Sequence, residues 1–117
     1  MFEVTVKLTF SAAHRVEEYP GNCERLHGHN WVVEVSARRD ELDKLGMVVD
    51  FRKLKEAAMK ALSSLDHSYL NDVEPFNKMN PTAENIAKWI FDRVSTEIPL
   101  SGVRVHESEG CAASYRG

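Results

Sequence analysis

The strongest constraint on the fold is a run of strictly alternating residues at the start of the chain. Apolar side chains occupy every second position from Phe2 to Phe10, with charged or hydroxyl side chains between them. Because successive side chains of a strand point to opposite faces, this pattern predicts a half-buried β-strand over residues 2–10. The same alternation recurs over residues 31–37 and predicts a second strand with Trp31 on its inward face.

Two later segments have the spacing of helices. Asp50 is the expected N-cap of a helix that continues to about residue 64, with Phe51 in its apolar stripe. Thr82 is the expected N-cap of a second helix, which continues to about Ile98 before a proline stops it. We expect residues 66–81, which contain turn-forming residues and two prolines, to form a loop.

The remaining segments predict two further strands, one beginning at Val103 and one over residues 111–115. The element order is then β-β-α-α-β-β. This order predicts an α+β fold, in which a four-stranded antiparallel sheet carries two helices on one face. The sheet would have two long open edges with little protection, so we expect the chain to oligomerise through them.

Length and charge narrow the classes of protein. The 117 residues are one domain's worth, so we expect a single domain over residues 1–117. A net charge of −3 argues against a nucleic-acid binder that works by bulk phosphate attraction. Two cysteines make no disulfide framework, no apolar run could span a bilayer, and the first ten residues lack the pattern of a signal peptide. We therefore expect a cytoplasmic protein.

Three of the five histidines fall where the sheet's inward face should continue. His14 has the same parity as Phe10, and His27 and His29 have the same parity as Trp31. If the first two strands pair, the three imidazoles converge at one end of the sheet. Three imidazoles suit a zinc site that keeps its fourth position open, as catalytic zinc sites do. The alternative is that each is a hydrogen-bonded core histidine.

The two cysteines differ in their surroundings. Cys23 lies four residues before His27, so three interpretations remain open: a catalytic base or nucleophile, a fourth zinc ligand, or an inert apolar residue. Cys111 has no such neighbours and is expected to be a packed strand cysteine.

Two acidic positions are also candidates for function. Asp66 precedes His67, and a carboxylate beside an imidazole can orient its tautomer, although such pairs also occur on ordinary surfaces. Glu107 shares parity with Val105 and is expected on the buried face at a strand end. It could form a salt bridge with a lysine or arginine, or accept two parallel N–H bonds from an amidine-like ligand edge.

Taken together, these features resemble the 6-pyruvoyltetrahydropterin synthase and 6-carboxytetrahydropterin synthase family. The resemblance covers nearly the whole chain, and the ordered set of motifs is more specific than His-Gly-His alone. The motifs are Phe10-Ser11-Ala12-Ala13-His14, Cys23-Glu24-Arg25-Leu26-His27-Gly28-His29, Leu65-Asp66-His67-Ser68-Tyr69-Leu70-Asn71, Asn80-Pro81-Thr82-Ala83-Glu84-Asn85, Glu107 and Tyr115-Arg116-Gly117.

The resemblance implies a tunnelling fold, assembled as a hexamer of two stacked trimers with active sites between subunits. It implies a zinc ion held by His14, His27 and His29, and Cys23 as general base. Asp66 with His67 would form a second proton relay, and Glu107 would hold the guanidine-like edge of the pterin ring. The substrate implied is 7,8-dihydroneopterin triphosphate.

Two activities in the family diverge from this substrate. One eliminates triphosphate and leaves a 6-pyruvoyl side chain, whereas the other also cleaves the side chain to give acetaldehyde and 6-carboxytetrahydropterin, a queuosine precursor. The spacing Cys23-x3-His27-Gly28-His29 resembles the 6-carboxy branch. A non-enzymatic alternative is a zinc-stabilised module in which Cys23 completes the metal site.

Overall fold

A computed structural model of the protein describes residues 1–16 and 27–117, with the backbone alone for His27. Within these ranges the chain forms five strands and two α-helices, in the order β-β-α-β-α-β-β. The elements are β1 (Phe2–His14), β2 (His27–Arg39), α1 (Phe51–Leu62), β3 (Ser68–Tyr69), α2 (Ala83–Ser95), β4 (Gly102–Ser108) and β5 (Cys111–Arg116).

The strands form one sheet in the order β3-β1-β2-β4-β5. The pairs β1–β2, β2–β4 and β4–β5 are antiparallel, as expected. The prediction of four strands is wrong in one respect, because the two-residue β3 lies parallel to β1 and makes the sheet mixed. β3 has no alternating pattern of its own: Ser68 and Tyr69 fall beside Ala12 and Ala13 because the preceding residue, His67, is hydrogen-bonded to the backbone of β1.

Strands β1 and β2 are longer than the alternating patterns suggested, and the additional residues include the histidines. Their antiparallel ladder runs from Phe2 opposite Arg39 to His14 opposite His27. Phe2, expected on the inward face, is 51% exposed at the outer end of this ladder, and full burial begins only at Val6. The buried face is therefore displaced toward the end that carries the histidines.

Both helices begin at the residues predicted to cap them. The Asp50 side chain accepts a hydrogen bond from the backbone N–H of Arg52, and the Thr82 side chain accepts one from the N–H of Asn85. Such caps satisfy backbone donors that the first helical turn leaves unpaired. The packed face of α1 begins only at Leu54, and Phe51, which was expected in the apolar stripe, is 57% exposed.

The helices cover one face of the sheet and leave the other face polar. Helix α1 packs over β1, and α2 packs over β4 and β5. On the opposite face, the hydroxyl groups of Thr5 and Ser36 are hydrogen-bonded, and His106 is hydrogen-bonded to Glu34. This division fixes which side chains can approach the core and which cannot.

Two further expectations concern the edges and the surface. Cys111 was expected to be packed, but it is exposed, because it begins the edge strand β5 next to the turn from β4. Among the described residues, neither helix has the length and apolar character needed to cross a membrane.

Candidate functional site

His14 ends β1 and is almost completely buried, with 1% of its surface exposed. Its Nδ1 lies 2.9 Å from the carbonyl oxygen of Pro81, just before α2. Because a carbonyl oxygen only accepts hydrogen bonds, Nδ1 carries the proton and donates it. This leaves Nε2 as the ring nitrogen that faces the neighbouring side chains.

His29 lies beside His14 on the helix-covered face of the sheet. It pairs with Ala12 in the β1–β2 ladder, and the two imidazole centroids are 5.3 Å apart. Trp31 packs against both rings, with centroid distances of 4.9 Å to His14 and 5.5 Å to His29. The indole Nε1 donates to the carbonyl oxygen of Ala12, so the ring that supports both histidines is itself held in place.

Glu107 faces both histidines from β4. Its Oε1 lies 3.3 Å from Nε2 of His14 and 3.1 Å from Nε2 of His29. The strand pairing is irregular between His106 and Ser108, on either side of this residue. The parity with Val105 predicted the face correctly, and His106 points to the opposite face, where it contacts Glu34.

These three side chains fit a divalent metal ion. One ligand atom from each of His14, His29 and Glu107 lies within 4.8 Å of the others. Ligand atoms held about 2.0–2.1 Å from a tetrahedral zinc ion are separated by roughly 3.3 Å, close to the Glu107 distances here. Imidazole nitrogen and carboxylate oxygen are both donors that zinc accepts.

The other two residues predicted near the metal cannot be placed in the same way. The backbone of His27 pairs with His14 in the ladder, but its side chain lies outside the described residues. Cys23 also lies outside them. The structure therefore brings His14 and His29 together as the alternation predicts, and the roles of the three histidines and of Cys23 stay predictions.

Asp66 and His67 form a pair that is attached to β1. Oδ1 of Asp66 lies 3.1 Å from Nδ1 of His67 and also accepts a hydrogen bond from the backbone N–H of Ser11. The N–H of His67 donates to the carbonyl oxygen of Ser11, and His67 has a φ of 57°. Two hydrogen bonds to one residue of β1 thus fix where this pair lies.

The electrostatics of the pair follow from these contacts. The hydrogen bond from Ser11 N–H, followed by the charge and hydrogen bonds of His67, lowers the pKa of Asp66 below its ordinary value of 3.8. Asp66 is therefore a carboxylate at neutral pH. His67 is 82% exposed, so its ring can reach a ligand from the surface.

A cleft of about 370 Å³ has one residue from each of these two groups in its wall. Its wall includes His29 from the histidine cluster and His67 from the Asp–His pair, together with Ser11, Gly28, Asn30 and Ser68. Ser11 and Asn30 are paired across the β1–β2 ladder, and their side chains are hydrogen-bonded on the polar face, so the cleft opens on that face of the sheet.

Two contributors to the site were not recognised as such in the sequence. The Pro81 carbonyl meets His14 across 67 residues, a separation at which no local pattern gives a signal. Trp31 was predicted to face inward, and its position two residues after His29 could have indicated that it supports the cluster.

The fold and site define a class: an α+β protein whose mixed sheet gathers two histidines and a glutamate at the end of its helix-covered face. Within that class, the chain belongs to the 6-pyruvoyl tetrahydropterin synthase family, whose model matches residues 3–117.

Relatives in this family carry two names. A 6-carboxy-5,6,7,8-tetrahydropterin synthase from Synechocystis is 37% identical, over 98% of this chain and 93% of its own length. A 6-pyruvoyl tetrahydrobiopterin synthase from Drosophila melanogaster is 35% identical, over 97% of this chain and 79% of its own. The solved structure of Caenorhabditis elegans 6-pyruvoyl tetrahydropterin synthase has a TM-score of 0.86 and 34% identity, and covers 100% of this chain and 97% of that one. The expected tunnelling fold is confirmed by this likeness.

Proposed function

We propose that the protein is a zinc-dependent lyase that converts 7,8-dihydroneopterin triphosphate to 6-carboxy-5,6,7,8-tetrahydropterin. One water is consumed, acetaldehyde and triphosphate are the other products, and the reaction supplies a precursor of 7-deazaguanine and queuosine. The observation that carries the proposal is the cluster of His14, His29 and Glu107 at the end of the sheet. The cluster occurs in a chain that belongs to this pterin synthase family.

In this proposal His14, His27 and His29 hold the zinc ion. When bound, zinc supplies Lewis-acid chemistry, because it polarises the side-chain hydroxyls of the pterin and stabilises negative charge on their oxygens. The hydrogen bond from Nδ1 of His14 to Pro81 supports this role by leaving Nε2 as the coordinating nitrogen.

In the same proposal, Cys23 and the pair of Asp66 and His67 transfer the protons. Cys23 acts as the general base, and His67 moves a second proton from the other side of the substrate. Asp66 orients the ring of His67 through Nδ1, and its lowered pKa keeps it ionised while it does so. The attachment of this pair to Ser11 supports the arrangement, because Ser11 belongs to β1, the strand that ends at His14.

Glu107 is proposed to hold the guanidine-like edge of the pterin. A carboxylate can accept two parallel N–H bonds from such an edge. About a third of the side chain is exposed, so a ligand can reach the carboxylate from the surface. This position would place the pterin ring next to the metal.

The 6-carboxy activity is preferred over the 6-pyruvoyl activity because of the spacing Cys23-x3-His27-Gly28-His29. The 6-pyruvoyl alternative is favoured by the likeness to the nematode structure and to the Drosophila relative. The two differ in whether the side chain is cleaved, so analysis of the products separates them.

The test is mass analysis of the products that zinc-loaded protein forms from 7,8-dihydroneopterin triphosphate. A 6-carboxy pterin with an equal amount of acetaldehyde supports the proposal. A 6-pyruvoyl product without acetaldehyde would move the protein to the other branch of the family. Absence of turnover would contradict both activities.

A zinc-stabilised module without activity makes a different prediction about Cys23. If the thiol completes a closed zinc site, Cys23→Ala would release the metal and unfold the chain. As a general base, Cys23 can be removed with the metal and fold intact and only turnover lost. Zinc content and circular dichroism of this variant, measured together, distinguish these roles.

We further propose that the protein assembles as a hexamer of two stacked trimers, with active sites between subunits. Among the described strands, β5 forms one edge of the sheet, and β3 covers β1 only at Ala12 and Ala13. Both edges can therefore pair with a neighbouring copy. Light scattering should give the mass of six 13.3 kDa chains, about 80 kDa.

A further inference from the structure

We propose that Asn85 is a positioning residue for His14: it holds the turn before α2 so that the Pro81 carbonyl keeps the proton on Nδ1 of His14. This inference rests on the proposed function only in taking His14 as a zinc ligand. Asn85 does not contact the cluster itself and acts through the backbone between them.

The contacts form a short chain from the helix to the imidazole. The Asn85 side-chain amide donates from Nδ2 to the carbonyl oxygen of Asn80 at 2.9 Å. The N–H of Thr82 donates to the same oxygen, also at 2.9 Å. Pro81 lies between these two anchored positions, and its own carbonyl accepts from Nδ1 of His14 at 2.9 Å.

This turn is well suited to fix the direction of one carbonyl group. The ring of Pro81 restricts its φ to about −65°, so little backbone freedom remains once the carbonyl of Asn80 is held. Pro81 is buried, and so is His14, which means that water is poorly placed to replace the hydrogen bond. A shift of the turn would therefore lengthen or break the hydrogen bond between Nδ1 of His14 and the Pro81 carbonyl oxygen.

The hydrogen bond to Pro81 decides which ring nitrogen of His14 can bind a metal ion. A histidine ring can turn over and exchange its two nitrogens, and the partner of one nitrogen decides which one is left to bind. With Nδ1 held by Pro81, Nε2 faces Glu107 and His29. Without that hold, the ring could also carry its proton on Nε2, where Oε1 of Glu107 lies close enough to accept it.

The test compares Asn85→Asp with Thr82→Ala in the full-length protein. Asn85→Asp removes the Nδ2 donor but keeps the backbone N–H that bonds Thr82, and a carboxylate in the first helical turn favours the helix. Thr82→Ala removes the helix cap but leaves the Asn85 side chain free to hold Asn80. The two variants thus separate positioning of His14 from stability of α2.

Two measurements are made at one fixed pH. Long-range ¹H–¹⁵N spectra report which nitrogen of His14 carries the proton, with and without zinc. Competition with a chelator reports zinc affinity. Loss of an outer partner of a ligating histidine typically weakens metal binding about 10- to 100-fold, and we expect roughly 10-fold for Asn85→Asp because it acts one residue further away.

The expected result is a mixed His14 tautomer and weakened zinc binding in Asn85→Asp, with neither change in Thr82→Ala. An unchanged His14 spectrum in Asn85→Asp, or the same spectral change in both variants, would overturn the inference. If the unaltered protein binds no zinc, the proposed function fails, while the spectra without metal still decide whether Asn85 positions His14.

Discussion

His14 and His29 direct their Nε2 atoms to the same carboxylate oxygen, Oε1 of Glu107, at 3.3 and 3.1 Å. The two histidines come from paired strands and the glutamate from a third, so the cluster depends on the register of the sheet. A one-residue slip would turn these side chains to the polar face. The arrangement therefore links the alternating sequence of the strands to the candidate metal site.

The cluster predicts that His29 and His106 differ in their importance for zinc. The two side chains are similarly exposed, at 24% and 27%, but lie on opposite faces of the sheet. His29→Ala should lose more than about 100-fold in zinc affinity, beyond the range for outer-shell partners, while His106→Ala keeps its metal. Metal analysis after dialysis measures this, and equal zinc content in the two variants would contradict the assignment.

A second matched pair tests the role of Glu107. Glu107 and Glu34 are 33% and 32% exposed, and each contacts a histidine, but only Glu107 faces the proposed pterin site. Glu107→Gln should weaken pterin binding by about 1.5–3 kcal/mol, the usual contribution of a hydrogen bond to a charged group. Glu34→Gln is the control and should bind the pterin normally. Calorimetric titration with a pterin product measures both, and comparable losses would exclude a specific role for Glu107.

The pKa of Asp66 should stay lowered when its histidine partner is removed, because the backbone N–H of Ser11 also holds the carboxylate. The hydrogen bond from Ser11 N–H is the largest cause of the lowered pKa. In His67→Asn the pKa should rise but stay below 3.8, as followed by ¹³C NMR of the carboxyl group. A return to the ordinary value would show that His67, rather than Ser11, holds the charge.

The same shift has a consequence for stability. A lowered folded-state pKa means that the folded protein favours the ionised carboxylate, so Asp66 stabilises the fold above about pH 3.8. That contribution is lost as the pH falls through the folded-state pKa. The difference in unfolding free energy between the unaltered protein and Asp66→Asn should be constant near neutral pH and shrink below about pH 4. A difference that persists unchanged in acid would contradict this.

Asn71 should stabilise the end of β1 by two hydrogen bonds to one residue. Its Oδ1 accepts from the N–H of Arg15 and its Nδ2 donates to the carbonyl oxygen of Arg15, both at 2.8 Å. Asn71→Ala should cost about 1–3 kcal/mol, twice the usual net contribution of one hydrogen bond. Asn71→Asp keeps the acceptor and should lose about half as much, as urea unfolding would measure. Equal losses in the two variants would mean that the donor carries the whole effect.

Much of the fold and part of the site could be predicted because a strand transmits its pattern with a period of two. The alternation that starts at Phe2 continues to His14, and the same rule put His29 and Glu107 on the helix-covered face. The helix starts were equally local, because each depends on one capping side chain. For these strands and helix starts, neighbouring residues in the sequence were sufficient to predict the structure.

The features that were missed depend on contacts between distant segments. β3 consists of two residues that become a strand only because Asp66 and His67 are bonded to Ser11. The hydrogen bond from His14 to Pro81 is also a tertiary contact, and no spacing in the sequence signals it. The exposure of Cys111 likewise reflects its place beside a turn, which parity alone does not report.

The most direct test of the central claim is acetaldehyde release from 7,8-dihydroneopterin triphosphate by zinc-loaded protein. The unaltered protein should release one acetaldehyde for each 6-carboxy pterin formed. Cys23→Ala, with its zinc content and fold unchanged, should release none. Zinc-loaded protein that turns the substrate over without acetaldehyde, or does not turn it over, would contradict the account.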